Sequence, residues 1–311
     1  MAALARLRGN GERVVLSEWW GRLRRREERL AIPTRFGEAT VYTMPDEDGS
    51  LVRMLNVGGV LQSATYTDER WAVCPFAYLR AFDHLFEAAD LSAPHPLTVG
   101  RVLMIGGAGF AYPKSLLVNH PGVRLDVVEI DPAMVALARE HFCLDRLEVQ
   151  LAAEGRADDL RIFVEDGAAF LRGESGAPEG RLGTLGAAGA ESRSGGPTAV
   201  EAEPAPAARY DVIINDAFVG REPVAFFASD EGIAAAKARL VPGGLLMANC
   251  VVEFTGNVMY QLFAQVELLR EHFANVYVID AADEQFGGAD NYLVIATDGT
   301  YPFTNVIPYG D

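Results

Sequence analysis

The sequence predicts an α/β protein: a mostly parallel, doubly wound sheet preceded by a small antiparallel β region. Three observations carry this prediction. From Thr98 onward, short apolar runs alternate with helical stretches, as βα units do. Those runs end in glycine or acidic residues, as strands do where they open onto a crevice. Between Glu38 and Ser63 the period is instead two residues, broken by tight-turn signals.

Taken in order, residues 1–35 form a basic N-terminal arm of net charge +5, and Trp19–Leu30 reads as a basic amphipathic helix within it. Residues 36–97 hold the antiparallel region: Ala39–Thr43 and Leu51–Asn56 alternate around the turn Asp46-Glu-Asp-Gly49. Gly58-Gly59 then turns into Val60–Gln62. Phe76, Leu79, Phe82 and Phe86 stand at helical spacing and predict a helix over 72–90.

The domain at 98–311 opens with Val102–Ile105 and its loop Gly106-Gly107-Ala108-Gly109, which leads into a helix. Leu125–Ile130 is the second strand, and Asp131-Pro132 starts a helix with proline at its first position. Leu160–Val164, Tyr210–Ile214 and Gly244–Ala248 follow, the last after the turn Val241–Gly244. Val276–Asp280 and Tyr292–Ala296 have no helix between them, so this pair is expected to be antiparallel. Residues 172–209 hold eight Gly, four Pro and nine Ala and few bulky apolar groups, which predicts a disordered insert.

Composition narrows the function classes. With 50% hydrophobic residues in 311, the chain is not a disordered polymer, a collagen-like fibre or a disulfide scaffold. The apolar run Gly244–Val252 is too short for a bilayer span. The first residues lack the apolar core of a signal peptide, and the three widely spaced cysteines favour a reducing cytoplasm as the expected compartment. A net charge of −16 makes nucleic acid and anionic membranes poor partners. Cys74, Cys143 and Cys250 predict three buried thiols, and the five histidines show no metal-ligand spacing, so no metal is expected.

The candidate chemistry lies at the strand ends. Gly107-Ala-Gly109 supplies a G-x-G, but Tyr112 stands where a dinucleotide fingerprint has its third glycine. Glu129, 20 residues beyond Gly109, can accept hydrogen bonds from ribose hydroxyls. Asp166-Gly167 can meet an adenine edge, although Asp131 and Asp166 can equally cap the helices that follow them. Asp216 ends the fourth strand, where a carboxylate can take a proton from an attacking amine or hold a cation. Together these predict a nucleoside site.

These stretches resemble the spermidine synthase (polyamine aminopropyltransferase) family. The resemblance lies in Val102–Gly109, Val128–Pro132, Glu165–Gly167 and Tyr210–Asp216, with Asn56–Gln62 and Asp68-Glu69 similar to the family's N-terminal hairpin region. It implies a Rossmann-like, class I methyltransferase-type sheet in which Gln62, Gly106, Glu129, Asp166 and Gly167 hold the donor. That donor would be decarboxylated S-adenosylmethionine or S-adenosylmethionine. Gly107, Gly109 and Asp131 complete the implied donor set, Tyr78 and Asp216 meet the acceptor, and Asp216 is the general base.

The nominal activity implied is aminopropyl transfer to a small-molecule amine such as putrescine, and the resemblance favours a homodimer. Three positions depart from the family pattern. Gly109 stands for an aspartate that grips the aminopropyl ammonium, Val219 for a second aspartate, and Tyr78-Leu79-Arg80 for Tyr-His-Glu. Two other readings therefore stand beside it: methyl transfer from S-adenosylmethionine to a non-polyamine acceptor or other nucleophile, and a non-catalytic nucleoside-binding or interaction protein.

Overall fold

In a computed structural model of the protein, residues 29–174, 208–220, 222–252, 259–282 and 290–308 are described. The expected N-terminal helix, except at its last two residues, and nearly all of the expected insert lie outside them.

The first sheet has four strands in the order β1 (Leu30–Thr34), β2 (Gly37–Pro45), β3 (Leu51–Val57) and β4 (Val60–Tyr66), each antiparallel to the next. β1 corrects the expected boundary at 35, because Leu30–Thr34 belongs to the sheet rather than to an arm. Arg35-Phe36 closes its hairpin with β2, Gly37 takes φ +118°, and the Thr34 hydroxyl donates to the Gly37 carbonyl at 2.6 Å. The positive φ thus falls on the residue just after the turn, where the chain enters β2, and glycine adopts it without strain.

The helix expected over 72–90 is shorter. Pro75 keeps the residue before it out of the helical region, and α1 spans Ala77–Ala81 only. A 3₁₀ turn then runs from Phe82 to Ala89, with Phe82, Leu85 and Ala88 buried. That three-residue spacing suits three residues per turn better than 3.6.

The main sheet is built from β5 (Arg101–Ile105), α2 (Ala111–Asn119), β6 (Arg124–Glu129), α3 (Pro132–His141), α4 (Leu144–Ala153), β7 (Leu160–Val164), α5 (Gly167–Arg172) and β8 (Tyr210–Asn215). A short hairpin, β9 (Phe218–Val219) with β10 (Glu222–Pro223), leads to α6 (Asp230–Ala238) and β11 (Leu240–Val252). α7 (Met259–His272), β12 (Asn275–Asp280) and β13 (Asp290–Thr297) complete it. The strand order is β12-β13-β11-β8-β5-β6-β7. β13 runs antiparallel to both neighbours, and β11, β8, β5, β6 and β7 are parallel. The turn expected at 241–244 is instead an irregularity within β11, where the register shifts between Leu240 and Leu245.

Both faces of this sheet are covered, which explains why its strands read as continuous apolar runs. Val102 and Met104 of β5 face one core with Phe82, Tyr112 and Leu116. Leu103 and Ile105 face the other with Phe163, Phe170 and Ile233. A third cluster joins Ala39, Val41 and Leu55 of the N-terminal sheet to Met134, Leu137 and Phe142, seating that sheet over α3. Cys74 and Cys250 are buried, and burial pushes both thiols up to about 12. Cys143 is only half-buried, a correction, because it sits in the left-handed turn at φ +61° between α3 and α4. Among the described residues, no helix is long and apolar enough to cross a membrane.

Candidate functional site

The strand order reverses between β5 and β8, so the chain leaves these two neighbouring strands toward opposite ends of the sheet. Such a switch point opens a crevice at the carboxyl ends of the strands. A cleft of about 760 Å³ lies there, within the size range of small-molecule sites. Its walls include Gly106, Glu129, Asp166, Gly167 and Asp216 from the ends of β5, β6, β7 and β8, and Gln62 from β4.

The loop after β5 is shaped by positive φ at alternate residues: Gly106 (+93°), Ala108 (+42°) and Phe110 (+55°). Gly106 is irreplaceable on two counts, its φ and the Asp216 carbonyl that a Cβ there would strike. The same alternation points successive N–H groups inward, a concavity suited to an anion. The anion is the protein's own. Gly107 N–H and Ala108 N–H donate to Glu129 Oε2 at 2.9 and 3.0 Å, and Asp131 N–H donates to Oε1 at 3.0 Å. Burial raises the Glu129 carboxyl above its ordinary value, and those three bonds oppose the rise. A carboxylate offers about four lone-pair sites, so in this arrangement roughly one of them, on Oε1, is left for a ligand. The loop's inward N–H groups are likewise already used.

Asp166 caps α5, its Oδ1 accepting from Ala168 N–H and Ala169 N–H at 2.7 and 3.2 Å, yet it remains exposed on the cleft wall. Capping and cleft lining are therefore both satisfied by one side chain. Gly167 beside it leaves no room for a Cβ, which would come within 2.6 Å of Ile105 Cγ2 and 3.0 Å of the Phe227 ring. Gln62 reaches the Gly220 carbonyl at 3.5 Å, a long bond from β4 to the β9–β10 hairpin.

Asp216 follows β8 and is half-buried. Its N–H donates to the Ile105 carbonyl at 2.9 Å, and its Oδ1 accepts from Asn249 Nδ2 at 2.9 Å. Burial pushes its carboxyl up to about 7, while the Asn249 bond pulls the other way. A base with that value is poised near neutral pH.

Four residues of the expected set line no wall of this cleft. Gly107 and Gly109 are buried: a Cβ on Gly107 would strike the Phe110 ring, and one on Gly109 the Ser63 side chain. Asp131 is 3% exposed and spent on structure, since its Oδ1 caps α3 through Ala133 N–H and its Oδ2 accepts Arg35 N–H at 2.6 Å. Tyr78 packs between aromatic rings, stacked on Phe76 and edge-on to Phe82. Arg80 is held by the Cys74 and Pro75 carbonyls at 2.9 and 2.5 Å.

Other wall residues were not expected. Thr34, Arg35 and Phe36, at the tip of the β1–β2 hairpin, roof the cleft, and Phe218, Val224 and Phe227 supply apolar surface. The hairpin tip was hidden because its turn, Arg35-Phe36, straddles the boundary expected between the charged arm and the β region. Asn249, which holds Asp216 from outside the cleft wall, did leave a signal: it interrupts the apolar run Gly244–Val252.

A seven-stranded, mostly parallel sheet with its cleft at the switch point and an antiparallel sheet at its N-terminus defines a Rossmann-like fold of the class I methyltransferase type. The solved structures it is similar to include a probable spermidine synthase and two spermidine synthases. A probable spermidine synthase from Corynebacterium glutamicum ATCC 13032 is 21% identical, with a TM-score of 0.61 over 88% of this chain and 81% of that one. Spermidine synthase from Thermotoga maritima is 16% identical, with a TM-score of 0.56 over 90% and 75%. A spermidine synthase in complex with the transition state analogue AdoDATO is 15% identical, with a TM-score of 0.55 over 90% and 75%. At these identities the likeness establishes the fold. No family model and no curated protein matches the sequence.

Proposed function

We propose that the protein is a group transferase that takes an S-adenosyl-type donor, nominally decarboxylated S-adenosylmethionine, and passes its aminopropyl group to a small-molecule amine. The observation that carries this reading is the single cleft onto which Glu129, Asp166 and Asp216 open from the ends of β6, β7 and β8. Glu129 and Asp166 are spaced one strand apart, which suits the ribose and base of one adenosine. The fold shared with a spermidine synthase that holds AdoDATO supports the same donor class.

In this reading Glu129 Oε1 accepts a ribose hydroxyl, Asp166 meets the adenine edge, and the apolar side chains of Phe218, Val224 and Phe227 limit water in the cleft. The amine nitrogen attacks the carbon beside the sulfonium. A C–N bond forms, the C–S bond breaks with its electron pair going to sulfur, and methylthioadenosine leaves. The proton lost by the nitrogen passes to Asp216, ionised above about 7. Alignment of nitrogen, carbon and sulfur supplies most of the acceleration.

A second reading, methyl transfer from S-adenosylmethionine, is favoured by one observation. The root of residue 109 faces Ser63, so the family's aspartate has no counterpart there to repel the methionine carboxylate. Calorimetry with the two nucleosides, followed by mass spectrometry with putrescine present, separates them. Tighter binding of the decarboxylated donor and release of methylthioadenosine are expected. Failure of methylthioadenosine to form with any polyamine would end the aminopropyl reading, and methylated product with S-adenosylhomocysteine would establish the other.

A further inference from the structure

Asn249 lies on β11 one residue past Ala248, the partner of Asn215 in the parallel pairing with β8. That register carries residue 249 alongside Asp216, and Asn249 Nδ2 donates to Asp216 Oδ1 at 2.9 Å. The side chain is 8% exposed. Its own Oδ1 is buried and has no hydrogen-bond partner among the described residues. An acceptor buried without a donor lowers stability, so packing does not account for an amide in an otherwise apolar strand. What the amide does supply is a donor to one oxygen of the cleft carboxylate.

We propose that Asn249 is a positioning residue for Asp216, fixing one carboxylate oxygen so that the other is presented to the acceptor. The inference rests on the reading of Asp216 as the base. A donor at Oδ1 favours the ionised carboxylate, the form a base requires, against the burial that favours the protonated form. Asp216 is met by the Ile105 carbonyl through its N–H and by Gly106, which packs on its own carbonyl. The other charged groups along the cleft are Arg35, Glu129, Glu165 and Asp166. Burial and the Asn249 bond are the influences that displace Asp216.

Carbon-13 NMR titration of the aspartate-labelled full chain, with the Asp216 signal assigned through Asp216→Asn, reads this carboxyl without any substrate. Asn249→Leu keeps the volume and removes the donor, and Asn249→Ala removes both. Each is expected to raise the Asp216 midpoint by about one pH unit, the shift equivalent to one charge-assisted hydrogen bond. Asn249→Gln, which retains the amide, should restore part of it. With donor and amine, the acid limb of kcat/KM should move by the same amount.

An unmoved midpoint in either folded variant would overturn the proposal. So would loss of folding in both, since the residue would then be structural. A protein that shows the midpoint shift but neither binds nucleoside nor turns over retains the Asn249–Asp216 coupling and loses the transferase reading, so the two failures are distinct.

Discussion

Gly109 and Ser63 are in such close contact that a Cβ on the glycine would stand 2.5 Å from the serine hydroxyl oxygen. This contact joins the loop after β5 to β4 of the N-terminal sheet and decides what residue 109 can do. An aspartate placed there would begin by pointing into Ser63, away from the cleft.

Gly109→Ala should therefore lower stability by about 1–3 kcal/mol, the range for overpacking a close-packed contact. Thermal melting checks this. Gly109→Asp should melt lower still and gain no measurable affinity for putrescine; a stable variant with new polyamine binding would show that the loop can turn its side chain outward.

Glu129 supports the loop that it also faces. Glu129→Ala strands three N–H groups, on Gly107, Ala108 and Asp131. Both chemical stability and nucleoside affinity should fall, each by about 1–3 kcal/mol for lost bonds to a charged acceptor. Urea denaturation and calorimetry read the two separately. Unchanged affinity in a destabilised variant would mean that the carboxylate serves the loop alone.

For Asp216 the sign of the pH dependence follows from burial. Its folded value, about 7, lies above the ordinary 3.8, so the unfolded chain ionises first. The stabilisation it provides is complete below about 3.8 and is lost as pH rises through about 7. Denaturation at pH 4 and pH 8 should show a smaller difference for Asp216→Asn than for the wild type. Turnover has the opposite slope, rising through about 7, and Asp216→Asn should depress it while leaving donor affinity nearly intact.

A control lies at the other end of the strands. Asp126 is 2% exposed and accepts from Arg161 Nε, Arg101 and the Tyr210 hydroxyl at 2.6, 3.2 and 2.7 Å. Asp126→Ala leaves these donors without their acceptor. The loss should be about 2–4 kcal/mol, below the fully buried range because both guanidiniums are partly solvated. Nucleoside affinity in the folded fraction should not change, since Asp126 is not among the residues that line the cleft. Calorimetry well below the melting temperature measures that.

The positions of Gly106, Glu129, Asp166 and Asp216 were legible because strand ends are local events. An apolar run stops, and a glycine or carboxylate marks the exit. The antiparallel pairing of β12 with β13 was equally legible, since no helix separates them. Tyr78 and Asp131 show the limit of such reading. The ring of Tyr78 is claimed by Phe76 and Phe82, and the Asp131 carboxylate by Ala133 and by Arg35, 96 residues away.

Hydrophobic period and helix-capping residues, which act over a few neighbours, were enough to determine a doubly wound sheet and the order of its strands along the chain. Tertiary structure alone decided that the loop N–H groups bind Glu129, that Arg35 and Phe36 roof the cleft, and that Asn249 meets Asp216. Each of these joins residues tens or more positions apart, through strand register and close packing. No local periodicity encodes them, because they exist only once the sheets have closed on one another.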